Sequence, residues 1–223
     1  EWEFPKTTAL LVGSYIDSWF EGTLDQFKSE NPEIFKRDGS LKADFVQAEQ
    51  IIEFLKKDPV FMYYMSGEKQ TIFTGELFGA KWKIKIDSLL QDRIVDLKVM
   101  RSMERIMGKS FVEHWGYDLQ MAIYAAIYEI ATGKKLETYL AVATKQTPPD
   151  KELIHIPVWR REELLEDVKR SMPRILLVKS GKAEPERCCV CEYCRATKKI
   201  EGPIDFELVG LSTAEKKALL GGL

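Results

Sequence analysis

The sequence contains no run of about 18 apolar residues, and no basic start followed by an apolar core and a small-residue cleavage site. Nothing in it argues for membrane insertion or export, so the chain is expected to be cytoplasmic. It also lacks an excess of charge of either sign. Thirty-three lysines and arginines face 35 acidic residues, a formal net charge of -2. Bulk electrostatics therefore make no case for nucleic-acid binding, and any such case has to be local. Cysteine is scarce and confined: Cys188, Cys189, Cys191 and Cys194 fall in one stretch, too compact to staple distant parts of a secreted fold. Repeats and low-complexity segments are absent. The chain begins at Glu1 rather than at a methionine, which leaves room for an upstream segment.

What is present is 223 residues, 45% hydrophobic and 30% charged, enough for one well-buried core. Apolar residues at helical spacing predict a helix over 8–20 and another over 42–57, the latter stopped by Asp58-Pro59. The connection through Asn31-Pro32 and Asp38-Gly39 reads as loop. From residue 71 the pattern changes to alternation, over 71–78, 81–89 and 94–100, which predicts a three-stranded meander. A helix follows over 117–132, with Gly133 as its stop. Strands are expected over 137–144 and 152–159. A helix over 161–179 should be kinked or divided by Pro173. The tail 212–220 opens on Ser212 and Glu215, a capping-box spacing. This order describes one α/β domain over 1–223, a mixed central sheet flanked by helices, ending in a cysteine-containing segment and a tail helix.

Strand parity singles out two carboxylates. The isoleucines of Lys83-Ile84-Lys85-Ile86-Asp87 share one face, which leaves Asp87 on the other with the lysines. In Ile94-Val95-Asp96-Leu97-Lys98, Asp96 and Lys98 share a face opposite Val95 and Leu97. If Gln91 and Asp92 form the turn, Leu90 pairs with Arg93 and Asp87 stands opposite Asp96, side chains about 5 Å apart. Carboxylates so close repel unless a cation lies between them. Oxygen ligands favour magnesium, with manganese able to substitute, and Lys98 could orient a water or stabilise charge on a phosphate. On parity alone, a turn-flanking Asp87 and a surface ion pair at Lys98 read equally well.

Asp87, eight residues, then Asp96-Leu97-Lys98 resembles the core of PD-(D/E)XK nucleases, and its surroundings resemble the RecE-like and RecB-like branch of phage and prophage exonucleases. Gly13-Ser14-Tyr15-Ile16-Asp17 stands where that branch carries a Gly-x-x-x-His motif, with Asp17 replacing the histidine. Gln120-Met121-Ala122-Ile123-Tyr124 resembles its Gln-x-x-x-Tyr motif. The resemblance covers roughly residues 10–198. It implies the PD-(D/E)XK fold, and a metal held by Asp17, Asp87, Asp96 and the Leu97 carbonyl. Lys98 would assist water attack, with Gln120 and Tyr124 beside the site. Glu76 lies where relatives bring another acid, although a solvated strand-end glutamate reads as well; Tyr124 equally fits a core tyrosine. The same resemblance implies digestion of duplex DNA from 5′ ends in a bacterial host, a 3′ strand passed to a RecT-like annealing protein, and a ring-shaped trimer or tetramer. A catalytically silent DNA-binding subunit and an endonuclease of the same fold are the alternatives.

Cys191-Glu192-Tyr193-Cys194-Arg195 resembles the cysteine segment of related proteins, some of which hold an iron-sulfur cluster with one early and three late cysteines. This sequence has no early cysteine, so the cluster is not expected. Reduced structural thiols are the preferred reading, and a zinc site completed by another residue is the other. His114 and His155, the only histidines, are expected to be structural.

Overall fold

The computed structural model describes residues 7–200 and 202–220, so both ends of the expected 1–223 domain lie outside the described residues. These residues form two compact units, divided between Met172 and Pro173.

The first unit is built on strands β1 (Thr71–Leu77), β2 (Ala80–Ile86), β3 (Ser88–Leu89), β4 (Arg93–Met100), β5 (Glu137–Thr144) and β6 (Lys151–Ile156). β1 and β2 form a hairpin sheet of their own. The other four make a mixed sheet in the order β3-β4-β5-β6, in which β4 and β5 run parallel. The expected three-stranded meander is therefore split in two. The break falls at Asp87, whose side chain, rather than a neighbouring strand's carbonyl, accepts the Leu97 N–H at 2.9 Å. Beyond the break β3 is held by the segment before β1: the Ser88 hydroxyl accepts from Gly67 N–H and donates to the Tyr64 carbonyl, each at 2.9 Å. A Cβ at Gly67 would lie 2.5 Å from the Leu89 carbonyl oxygen, so this close approach requires glycine.

Helices cover both faces of β4 and β5, as a parallel pair requires. On one face α1 (Thr8–Glu21), α3 (Ala43–Lys56) and α4 (Pro59–Tyr64) bury Tyr15, Ile16, Ile51 and Leu55 against Val95, Leu97, Ala141 and Ala143. On the other, α6 (Tyr117–Thr132) and the β1-β2 hairpin bury Met121, Ile127, Ile84 and Ile86 against Ile94, Leu140 and Val142. Each fully buried aliphatic side chain contributes roughly 1.5–3 kcal/mol. The alternation along β4 is thus a division between two cores, and Asp96 and Lys98 belong to the α6 side.

Two short helices lie in segments read as connections. α2 (Leu24–Glu30) has no fully buried residue, so no apolar stripe marks it. α5 (Phe111–Trp115) has a complete capping box, Ser110 with Glu113. Asp58 ends α3 as expected but also caps α4, accepting from Val60 and Phe61 N–H at 3.0 Å, with Pro59 in the first turn. β6 stops at Ile156, and Trp159 lies in a helix rather than ending a strand. That helix, α7 (Val158–Lys179), continues through Pro173, the residue at which the second unit begins. The second unit carries α8 (Glu192–Ala196) and α9 (Thr213–Leu220). α9 opens with the expected capping box: Ser212 N–H donates to Glu215 at 2.7 Å and Glu215 N–H to the Ser212 hydroxyl at 3.2 Å.

Candidate active site

Leu90 N–H donates to the Arg93 carbonyl at 3.0 Å, and Ser88 pairs with Val95 and Leu89 with Ile94. That register, continued one step, sets Asp87 against Asp96, as the expected turn at Gln91-Asp92 requires. Asp96 is 2% exposed, projecting from β4 toward α6. Its Oδ1 accepts from Gln120 Nε2 at 2.8 Å, and its Oδ2 lies 2.5 Å from Lys98 Nζ. The i, i+4 spacing puts Gln120 and Tyr124 on one helix face, while Met121 and Ile127 turn to the core.

Asp17 joins the cluster from α1. Burial, then the charges of Asp87 and Asp96, push its pKa up to about 7. The Asp96 carboxyl is likewise raised, by burial first and by Asp87, with Lys98 opposing. For Lys98, burial alone would favour the neutral amine, but the Asp96 and Asp87 carboxylates outweigh it and its pKa is raised. Lys98 is therefore an ammonium, and the Tyr117 ring packs against it with the nitrogen 4.8 Å from the ring centre. Tyr124 is half-buried, its hydroxyl raised by burial and by the Asp96 charge.

Asp17, Asp87, Asp96, Lys98, Gln120 and Tyr124 thus converge, and the Leu97 backbone reaches them through its N–H. Glu76 does not. It is exposed beside the hairpin turn, paired with Lys81, six residues and roughly 20 Å of strand from Asp87. It follows the solvated strand-end reading, because the hairpin carries its tip away from the sheet that holds the carboxylates. Three other residues arrive unforeseen. Gln70 donates to Asp87 Oδ1 at 3.3 Å, Lys69 feels the Asp87 charge, and Tyr117 covers Lys98. Gln70 and Lys69 come from the segment before β1, which no local pattern connects to Asp87. The histidines stand apart. His155 bonds Glu137 at 2.9 Å, and His114 packs edge-on against Trp115.

A family model described as a PDDEXK-like domain of unknown function (DUF3799) matches residues 1–197. The chain belongs to this PDDEXK-like family. A crystal structure from Eubacterium rectale, named "Putative exonuclease", is 50% identical, with a TM-score of 0.86 over all of this chain and 82% of that one. A second solved structure, SSO0001, is 14% identical over 91% of each chain with a TM-score of 0.36, too distant to bear on this site. No curated protein matches the chain. The family's name refers to an acid on one strand and an acid and lysine on the next, and Asp87, Asp96 and Lys98 stand in that relation. The PDDEXK-like fold thereby accounts for a buried aspartate and a half-buried lysine in a strand otherwise lined by aliphatic side chains. No helix among the described residues is long and apolar enough to cross a membrane.

In the second unit the Cys188, Cys191 and Cys194 sulfurs all lie within 4.8 Å of one another. Hydrogen bonds from the Val190 and Cys191 N–H groups hold the Cys188 thiol down at about 7.

Proposed function

We propose that this chain is a metal-dependent exodeoxyribonuclease acting on duplex DNA. One observation carries the reading: two carboxylates from adjoining strands meet at the edge of a packed core, with a protonated lysine two residues beyond one of them. The donor set fits a hard divalent cation. Asp96 Oδ2 is buried and, apart from the Lys98 ion contact, accepts no hydrogen bond. Asp17, Asp87, Asp96 and the Leu97 carbonyl would hold magnesium, or manganese in its place. A bound ion supplies Lewis-acid polarisation of the phosphate and a water of lowered pKa.

The side chains divide the remaining work. Lys98 carries fixed positive charge and N–H donors where a phosphodiester gains negative charge during water attack. Its part there is electrostatic. Gln120 holds the Asp96 carboxylate in one orientation, and Gln70 and the Leu97 N–H do the same for Asp87. Tyr117 shields one side of Lys98 from water, which strengthens its field.

Digestion from 5′ ends, handover of the 3′ strand to a RecT-like annealing protein and a ring-shaped trimer or tetramer belong to the same proposal. The 50% identical "Putative exonuclease" supports the exonuclease part. With a net charge of -2, retention of DNA requires selected basic surfaces. Lys81, Lys83 and Lys85 form one exposed row on β2 suited to line a channel. The test is nucleotide release from linear and from closed circular duplex, with magnesium and with chelator, beside calorimetry of magnesium binding. Release from linear DNA only, with binding lost in Asp87→Ala, is the expected result. Cleavage of the circle would indicate an endonuclease, and inertness toward both a silent DNA-binding subunit.

A further inference from the structure

The segment from Pro173 to Leu220 has almost no core. Among its described residues Cys194 is the only one that is buried. A unit of this size without an apolar interior needs a covalent or metal cross-link to hold one conformation. Its cysteines are free thiols, so no disulfide serves that purpose.

We infer that Cys188, Cys191 and Cys194 form a structural site for one zinc ion, separate from the carboxylate site. The Cys188 and Cys194 sulfurs are 3.8 Å apart. With Zn–S bonds of about 2.3 Å and a tetrahedral angle, two thiolates on one zinc stand about 3.8 Å apart. The thiolates of an iron-sulfur cubane bind different irons and are held wider than those on a single ion. The backbone is arranged for the same purpose. Cys191 N–H points at Cys188 Sγ at 3.3 Å, and Cys194 N–H at Cys191 Sγ at 3.4 Å. Cys188 and Cys191 thus each accept an amide from the residue three positions on. Cys189 has a φ of 64°, the left-handed turn that folds the chain back over Cys188, and its own sulfur turns away to the Arg187 carbonyl at 3.6 Å. It is the spacer and not the fourth ligand.

Three thiols give up their protons to solvent on binding, and one position of the tetrahedron is left for a fourth ligand outside the three cysteines. The effect extends past the knuckle. Arg187 donates to the Cys194 carbonyl at 3.0 Å and to the Thr197 hydroxyl at 2.6 Å, and its own carbonyl accepts the Thr213 N–H at 2.9 Å at the start of α9. Fixing the thiolates therefore fixes both α8 and the root of the tail helix.

The test uses the full chain, purified under reducing conditions without oxygen, loaded with zinc or with cobalt as a spectroscopic substitute. One equivalent of zinc per chain is expected, with thiolate-to-cobalt charge transfer in the ultraviolet and the visible bands of a tetrahedral ion. Cys188→Ser and Cys191→Ser, at exposed positions, should reduce both to background. Cys189→Ser and Asp87→Ala should leave both intact. Zinc should also slow proteolysis between residues 180 and 215, and chelator should restore it. Failure to bind zinc, equal loss in Cys189→Ser, or iron with inorganic sulfide in the purified protein would each overturn the assignment.

Discussion

Two regions of this chain gather ligand atoms in opposite ways. Asp87, Asp96 and Lys98 are positioned by a core that exists without them: both faces of β4 are packed, and the polar side chains are carried on strands fixed by Ile94, Val95 and Leu97. Among the described residues of the cysteine segment one is buried, Cys194, and its sulfur is one of the three that come together. The carboxylates are thus carried on a packed core, whereas the sulfurs gather in a segment with little core of its own. Burial in the first region has a consequence the second escapes, because a charge taken out of water must be matched. Asp96 is matched by Lys98.

The strongest way to break the comparison is to remove that match. Lys98→Met should lower the cleavage rate on the order of a hundredfold or more, since it deletes a positioned charge. It should also destabilise the fold by about 3 kcal/mol, because Asp96 is left buried and unpaired. Adding Asp96→Asn should return most of the stability and none of the activity. Denaturant unfolding beside nuclease rates checks both halves. Equal losses of stability in the single and double variants would show that the pair is not coupled.

Much of this site was legible from the sequence, and the parts that were not share a cause. The Asp87-Asp96 register follows from period-two alternation and one turn, which are local. That Gln120 and Tyr124 share a helix face follows from their spacing, and their place beside the site from the resemblance to the Gln-x-x-x-Tyr motif. The split of the meander at Asp87 was hidden, because it depends on Ser88 bonding the Gly67 segment some twenty residues earlier. Gln70 and Lys69 were hidden for the same reason. Glu76 was misplaced because alternation gives a residue's face but not which sheet carries the strand. The cysteine spacing was visible, but the 3.8 Å approach of Cys188 to Cys194 required the left-handed turn at Cys189.

A smaller effect is expected at Gln120, which holds Asp96 without being charged. Gln120→Met should reduce activity about tenfold, the value of one hydrogen bond to a charged group, with the magnesium requirement intact. Steady-state rates at saturating magnesium check this. An unchanged rate would make Gln120 a packing residue only.

The carboxylate site also predicts a pH dependence of metal-free stability. Asp17 has a folded pKa of about 7, raised by burial and by Asp87 and Asp96, against about 4 for an unfolded aspartate. A raised acid binds its proton more tightly in the folded state, so metal-free stability from this group is present below about pH 4 and is lost as pH rises toward 7. Asp17→Asn should flatten that slope and stabilise the metal-free protein at neutral pH by on the order of 2 kcal/mol. Magnesium should stabilise the native protein increasingly above pH 7, where it no longer competes with the proton. Melting curves in chelator and in magnesium across this range supply the comparison.

The finest test exploits a motif that occurs in both regions. Ser110 with Glu113 and Ser212 with Glu215 are capping boxes with the same two reciprocal contacts, and Glu113 and Glu215 are both held below the usual glutamate range by their serine bonds. Truncating the serine removes one side-chain cap in each case, a local cost of about 1 kcal/mol. What differs is what the helix behind the cap is attached to. α5 buries Phe111 and Val112 in the same apolar cluster as α6, so Ser110→Ala should lower the main unfolding transition by about the full 1 kcal/mol. α9 has no buried residue among those described, so its cap has no packed face to transmit the loss. Ser212→Ala should leave the main transition where it is and appear only as faster amide exchange from Thr213 to Leu220. Equal shifts of the main transition in the two variants would mean that the tail helix unfolds together with the sheet, and the contrast between a core-built and a ligand-built region would fail.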